Sequence, residues 1–401
     1  MNWMPGRISR SGIGVRATNG AFALLLGLGP MIAFTEGVQA QIYTVLYNFT
    51  NEGDGRLPYG RLTQDAVGNL YGTAKYGGPE DFGLVFKLDT SGKQSAFWTS
   101  SGGDAGLYPF GGLVFADSFF YGTTSLGGCG VLFKLDATGR ITVLHSFSSS
   151  VQKTDGCVPQ ADLVRDATGN VYGTTASGGS FGFGTVFKLD GAGNYSVLHA
   201  FAGPPGDGKG PSPGSLAFDE AGDLFGTTAS GGAYNNGTIF RLEPRGRETI
   251  LHHFTGGAEG RTPRGSLVRT SAGLLFGTVP YGGSDQSCSG GCGIIFGLDG
   301  TGKGAILHNF NFAKDGALPA GGLVRDAAGS LYGTTAEGGP LGYGVVFKLE
   351  STGREVILHS FDFADGSVPF ATLLLDPAGT LYGTTLHGGA FGWGVVFKIT
   401  Q

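Results

Sequence analysis

LYGTTAEGG, Leu331–Gly339, decides the fold, because the chain repeats it with small changes from end to end. The counterparts are NLYGTAKYGG (69–78), FFYGTTSLGG (119–128), NVYGTTASGG (170–179), DLFGTTASGG (223–232), LLFGTVPYGG (274–283) and TLYGTTLHGG (380–389). Their aromatics, Tyr71, Tyr121, Tyr172, Phe225, Phe276, Tyr332 and Tyr382, recur every 50 to 56 residues. A period near fifty in a chain without helical periodicity reads as propeller blades.

One unit resolves into four strand-like runs. In the sixth they are GGLVRD (321–326), SLYGTT (330–335), GVVFKL (344–349) and EVILHSF (355–361). The joints at Asp326–Gly329 and Glu350–Gly353 are short hairpins, whereas those through Gly338-Gly339 and Asp365-Gly366 are longer and vary between units. The chain ends complement each other. The last unit stops at VVFKIT (395–400) without a fourth strand, and IYTVLYNF (42–49) is a fourth strand with nothing before it. Joining the two closes a ring and removes the exposed sheet edges. The expected fold is therefore all-β, a seven-bladed β-propeller of four-stranded antiparallel blades, with residues 42–49 completing the last blade. An open solenoid needs atypical capping repeats, and none is visible.

The unit G-x-L-x-x-D-x-x-G-x-L-Y-G-T-T-x-x-G-G-x-x-G-x-G-V-V-F-K-L…V-L-H-S-F resembles the GloVer repeat of bacterial choice-of-anchor tandem-repeat extracellular proteins. The resemblance implies an exported β-propeller and no defined activity. Kelch propellers share the period and the Gly-Gly pair, but their downstream Tyr and Trp pattern is missing. Members of the resembled family often end in a sorting segment, whereas this chain ends on a strand at Gln401, which argues against anchoring by that route.

Residues 1–40 read as a signal peptide: Arg7, Arg10 and Arg16, then an apolar run at Ala21–Phe34, then Val38-Gln39-Ala40 as a cleavage site. An uncleaved anchor is the competing reading. Cleavage takes away three Arg and Glu36, leaving 23 basic and 30 acidic residues and a charge of about −7. Such a chain has no global attraction to nucleic acid, and no later segment is long and apolar enough to span a bilayer. Residues 41–401 are then one secreted, periplasmic or cell-surface domain, expected as a monomer. The four cysteines of an exported chain form two disulfides, Cys288 with Cys292 across Ser-Gly-Gly and Cys129 with Cys157; free or metal-binding thiols are the alternative.

Most recurring residues read as architecture. Gly of the Gly-Thr step lets sheets approach, Thr suits a half-buried strand, and the Gly-Gly pairs supply positive φ at a bend. Fourth-strand histidines His145, His199, His252, His308 and His359, with Tyr47 in the N-terminal strand, share a face with neighbours such as Val143 and Phe147 and read as hydrogen-bonded within each blade. Acids precede each blade at Asp54, Asp104, Asp155, Asp207, Glu259, Asp315 and Asp365. They read as turn formers; a ring of carboxylates is also the chemistry of a Ca²⁺ site, the one cofactor in view.

Function is sought where the repeats differ. Insertions at 79–82, 151–153, 203–213 and 284–292 fall on the face that carries the Gly-Gly and Asp-Gly loops. Candidate binding residues there are Glu80, Asp81, Phe82, Phe183, Tyr234, Tyr281, Tyr343, His387 and Trp393, with Phe181 and Phe391 alongside; exposed aromatics suit sugar stacking or protein docking, and gap-plugging between blades is the other reading. Two residues after the shared first-strand Leu stand Arg165, Arg269 and Arg325, which form either an anion-binding patch in the channel or pairs with acidic hairpin turns. No nucleophile elbow, zinc helix, P-loop or Cys–His pattern is present. The expected function is a non-catalytic module that binds a glycan or protein through the loop face. The alternative is an extracellular glycoside hydrolase or lyase with carboxylates at the channel mouth.

Overall fold

The computed structural model describes residues 41–148, 154–211 and 213–401. The signal-peptide reading of residues 1–40 and the insertion at 151–153 lie outside the described residues. Seven separate antiparallel sheets follow one another, and the N-terminal strand Ile42–Asn48 pairs with Val395–Thr400 to complete the last. Blades are numbered here from the sheet that contains Tyr71, so the N-terminal strand belongs to blade 7.

The Gly of the repeated step is required within its own blade. It sits opposite the third-strand phenylalanine, as Gly333 does with Phe347, and a Cβ on Gly333 would lie 2.6 Å from the Phe347 ring. The same holds at Gly72, Gly173, Gly226, Gly277 and Gly383, with 2.5–2.6 Å to the facing ring. The expected close approach is thus between a ring and a neighbouring strand, not between sheets. The ring lies down over the glycine, and Phe86, Phe133, Phe187, Phe240, Phe347 and Phe397 are all at most 1% exposed.

The second threonine is a hydrogen-bond hub. Thr335 Oγ1 accepts the Val345 N–H at 3.2 Å and donates to the Glu337 carbonyl at 3.2 Å, and Thr385 repeats this with Val395 and His387. Both glycines of the pair that ends each repeated motif have positive φ, such as 71° and 82° at Gly338 and Gly339. In six blades the residue before the linker proline also has positive φ although it is not glycine: Leu57, Tyr108, Val158, Thr262, Leu318 and Val368, all between 52° and 61°. Its N–H reaches back to the preceding blade, as Val158 does to Cys129 at 3.0 Å and Val368 to Tyr343 at 3.2 Å. That bond holds an otherwise disfavoured backbone.

Three expectations need correction. The inner strands pair over only two residues in six blades, as at Val324–Arg325, because the glycine-rich stretch before them packs at the ring centre. Blades 2 and 4 add a segment, Leu107–Pro109 and Gly208–Pro211, along a lengthened second strand. The outer strands do not alternate strictly: a bulge between Val143 and His145, repeated in every blade, turns the histidine and the buried Phe147 one way while leaving Val143 on the surface. Both disulfides form as paired in the sequence reading, with Cα–Cα distances of 4.5 Å for Cys129–Cys157 and 5.1 Å for Cys288–Cys292.

Candidate functional site

The ring has a channel, a face of short hairpins and a face of long loops. At the loop-side mouth each blade contributes one residue, among them Tyr59, Phe110, Gln160, Arg264, Ala320 and Phe370. Tyr59 stacks on Phe110 at 4.4 Å and meets Phe370 edge-on at 5.6 Å. Arg61 and Asp162 line this space of about 30 Å³ together with the mouth residues, and both also border an adjoining space of about 220 Å³ that reaches Phe115 and Val164. Burial pushes the Arg61 guanidinium below its ordinary value and the Asp162 carboxyl above it, while Asp162 accepts the Gly112 N–H at 2.5 Å. Glycine is needed here: a Cβ at Gly60 would meet the Gly112 nitrogen at 2.7 Å. The channel is thus lined by the residue immediately before the shared Leu.

Arg165, Arg269 and Arg325 are not brought together. Arg165 pairs with Asp117, and Arg269 lies 3.6 Å from Asp219 with its guanidinium over Phe225 at 5.0 Å. Both acids sit in the hairpin turn of the preceding blade, so these two arginines form the pairs with hairpin acids and not an anion-binding patch. Arg325 lies by its own hairpin at Gly329. In blades 1, 3, 6 and 7 the second-strand Tyr hydroxyl donates to the hairpin acid of its own blade, as Tyr332 does to Asp326 at 2.9 Å.

On the loop face the cations sit on rings. Arg56 lies 4.7 Å from the Tyr76 centroid and 5.7 Å from that of Trp393, and it holds Asp81 through two bonds of 2.8 and 2.7 Å. Lys209 lies over Phe183 at 4.8 Å and Arg261 over Tyr281 at 5.3 Å. Lys75 sits between Tyr76, Tyr59 and Phe110 at 5.3 to 5.9 Å. Among the described residues no carboxylate lies within ion-pair distance of Lys75, Lys209 or Arg261. Arg261 also borders a basin of about 430 Å³ walled by Gly257, Gly282, Ser284 and Gln286.

The candidate aromatics divide by position. Phe82, Phe183, Tyr343 and Trp393 stand just before the third strand and lean on the next linker: Phe82 against Gly102, Phe183 against Gly203, Tyr343 against Phe363 at 5.5 Å and Trp393 against Arg56. In blades 2 and 5 the same position is Cys129 and Cys292, both disulfide-bonded. The loop tips carry the exposed side chains: Phe181 at 59%, Tyr234 at 60% and Phe391 at 58%. Glu80 and His387 are exposed; the structure assigns the Glu80 side chain no partner, and His387 holds Ser367 through its backbone.

The sequence reading treated the fourth-strand histidines and the linker acids separately, and the structure joins them. His145 meets Asp155 at 2.9 Å, His308 meets Asp315 at 3.0 Å and His359 meets Asp365 at 2.7 Å; His199–Asp207 and His252–Glu259 are longer at 3.3 and 3.7 Å. Tyr47 does the same with Asp54 at 2.7 Å. The carboxylates also accept linker N–H groups, such as Asn311 to Asp315 at 2.6 Å, which is the turn chemistry read from the sequence. Asp104 departs, lying exposed in the 3-10 turn Gly103–Ala105.

An early residue of the next blade's outer strand stands over the latch. Tyr43 stacks on His359 and Tyr195 on His145, both at 3.7 Å. Glu248 approaches His199 at 3.5 Å, so His199, Asp207 and Glu248 place ligand-type atoms within 4.8 Å of one another. Burial next to Asp207 pushes the Glu248 carboxyl up to about 9 and, beside Asp315, that of Glu355 to about 7. Burial and the neighbouring Asp207 charge thus both favour the uncharged form of Glu248.

No curated protein matches the chain. Among solved structures, virginiamycin B lyase from Staphylococcus aureus is similar with a TM-score of 0.61 at 15% identity, over 90% of this chain and 99% of that one. Oligogalacturonate lyase from Vibrio parahaemolyticus gives 0.53 at 12% identity, over 89% and 93%. PorZ, a surface component of the type-IX secretion system of Porphyromonas gingivalis, gives 0.51 at 15%, over 85% of this chain and 46% of PorZ. At these identities the likeness is one of fold. The model of the Gloeobacter/Verrucomicrobia repeat matches residues 32–212, 127–324 and 281–401, which together run nearly the length of the chain: the protein belongs to the Gloeobacter/Verrucomicrobia repeat family.

Proposed function

We propose that the chain is an extracellular binding module that takes acidic glycans on its loop face. The carrying observation is the set of cations on aromatic rings, Lys75, Lys209 and Arg261, none with a carboxylate partner among the described residues. A ring that stacks on a sugar beside a cation that meets its carboxylate is suited to uronic-acid chains. The exposed tips Phe181, Tyr234 and Phe391 extend the same face. Two disulfides and the resembled extracellular family support export. No helix among the described residues is long and apolar enough to cross a membrane.

The enzyme alternative finds less support. Among the described residues Asp162 is the single carboxylate lining the channel mouth, and the spaces it borders, of about 30 and 220 Å³, present no second carboxylate for a hydrolytic pair. An array of neutral and uronic-acid oligosaccharides tests the proposal. The expected result is saturable binding to acidic members that weakens between 0.05 and 0.5 M salt, on the order expected for screened charge pairs. Binding to neutral members alone, or to none, would overturn it.

A further inference from the structure

One inter-blade slot is left open. The outer-strand residue that pairs with the last Leu or Ile of the third strand stands over the preceding blade's latch position, and around the ring it is Tyr43, Gln94, Ile141, Tyr195, Glu248, Gly304 and Glu355. Tyr43 and Tyr195 show what the slot accepts. Each lays its ring flat on a histidine at 3.7 Å, within 5° of parallel, and donates its hydroxyl to the carbonyl of the latch acid, Asp365 at 2.7 Å and Asp155 at 2.5 Å. Gln94 reaches the Asp54 carbonyl at 3.0 Å in the same manner.

At blade 5 the covering residue is Gly304, which has no side chain. A cavity of about 160 Å³ opens there, bordered by His252 and Glu259 and walled by Phe254, Phe296, Leu298 and Ile306. An apolar cavity of roughly 150 Å³ accepts benzene, so the space suits a single aromatic ring. Its polar side is also looser than elsewhere: His252 and Glu259 are 3.7 Å apart, and Glu259, whose carboxylate accepts from the Thr255 hydroxyl at 2.7 Å, keeps 43% of its side-chain surface.

We propose that the slot between blades 4 and 5 binds a small neutral phenol, placed as the tyrosine side chains are placed in blades 3 and 7. The ring stacks on His252 between the apolar walls, and the hydroxyl donates to the backbone carbonyl of Glu259. The site is on the outer edge of the ring and is independent of the loop-face reading.

The probes are p-cresol and toluene, followed by nuclear Overhauser contacts to the Ala305 methyl and by the thermal shift of the full chain. The proposal expects saturable p-cresol binding with contacts to Ala305, and toluene bound about tenfold more weakly for want of the hydroxyl bond. Gly304→Tyr is expected to lower p-cresol binding at least tenfold. A Cβ at position 304 meets only the far end of Leu298 and the Gly297 carbonyl within 3.1 Å, and tyrosine already sits opposite Leu189 and Ile399 in blades 3 and 7. Gly304→Ile, the covering residue type of blade 2, repeats the block if the tyrosine variant does not fold. Absence of saturable binding, toluene binding as tightly as p-cresol, or variants that bind p-cresol within twofold of the wild type would each overturn it.

Discussion

The latch between blades 6 and 7 and the basin between blades 4 and 5 come from the same repeat and differ in what fills them. In the first, His359, Asp365 and Tyr43 interlock, and the space is closed. In the second, Gly304 removes the cover from the outer slot, and the insertion 284–292 opens the loop face around Arg261. The repeat thus builds a ring from identical contacts, and it offers ligands a surface only where a blade departs from the pattern. Four predictions separate the two kinds of residue.

The largest effect is expected where all blades agree. Gly383→Ala puts a Cβ within 2.5 Å of the Phe397 ring and the change is expected to destabilise by about 1–3 kcal/mol, read from urea unfolding; Phe397→Ala, which empties the same site, is expected to lose about 3–5 kcal/mol. Variants with neutral stability would show that the ring-over-glycine contact is incidental.

Removing the Cys129–Cys157 bridge, which spans 28 residues, is expected to lose about 2–4 kcal/mol. Loss of Cys288–Cys292, spanning four, is expected to matter less, because a short loop constrains the unfolded chain less. Equal losses would contradict this ordering.

Acidity probes the latches. Burial holds His252 below its ordinary value, so its folded pKa lies under the unfolded one. The associated stability is present above the unfolded value and is lost as pH falls towards the folded one, and thermal melts are expected to drop below about pH 6.5. Glu248 runs the other way: raised to about 9, it is protonated in the fold, and its contribution is present below its ordinary value and lost as pH rises towards 9. Glu248→Gln is expected to flatten the alkaline side of the melting profile. An unchanged profile would remove the uncharged Glu248 from the account.

The smallest effects are expected at strained and exposed positions. Val368 is β-branched at a φ of 56°, so Val368→Gly is expected to be neutral or to gain up to about 1 kcal/mol. Phe391→Ala, at an exposed tip, is expected to change stability by less than about 0.5 kcal/mol. A large loss at Phe391 would move it from the binding face into the architecture.

The blade count and the closing strand were legible because period and chain ends are carried by sequence order alone. The loop face was legible for the same reason, since strand alternation assigns the insertions to one side. The channel lining was missed by register: the glycine-rich stretch, not the paired strand, reaches the axis, so Arg61 and Asp162 line it while Arg165 and Arg269 reach the preceding hairpins. The His–acid latch was missed because each acid already had a sufficient turn role, and only the bulge turns the histidine towards it. The alternation of Tyr43, Tyr195 and Gly304 was written in the sequence, but a missing cover has meaning only once the neighbouring blade is in place.

The most direct test of the loop-face account is calorimetric titration of an acidic oligosaccharide into the wild type and into a Lys75→Gln, Lys209→Gln, Arg261→Gln triple variant, with a Lys134→Gln, Lys188→Gln, Lys348→Gln variant, altered at third-strand positions away from the loops, as the charge-matched control. The account predicts at least tenfold weaker binding in the loop-face variant and near-wild-type binding in the control. Equal losses in both variants, or unchanged binding in the first, would contradict it.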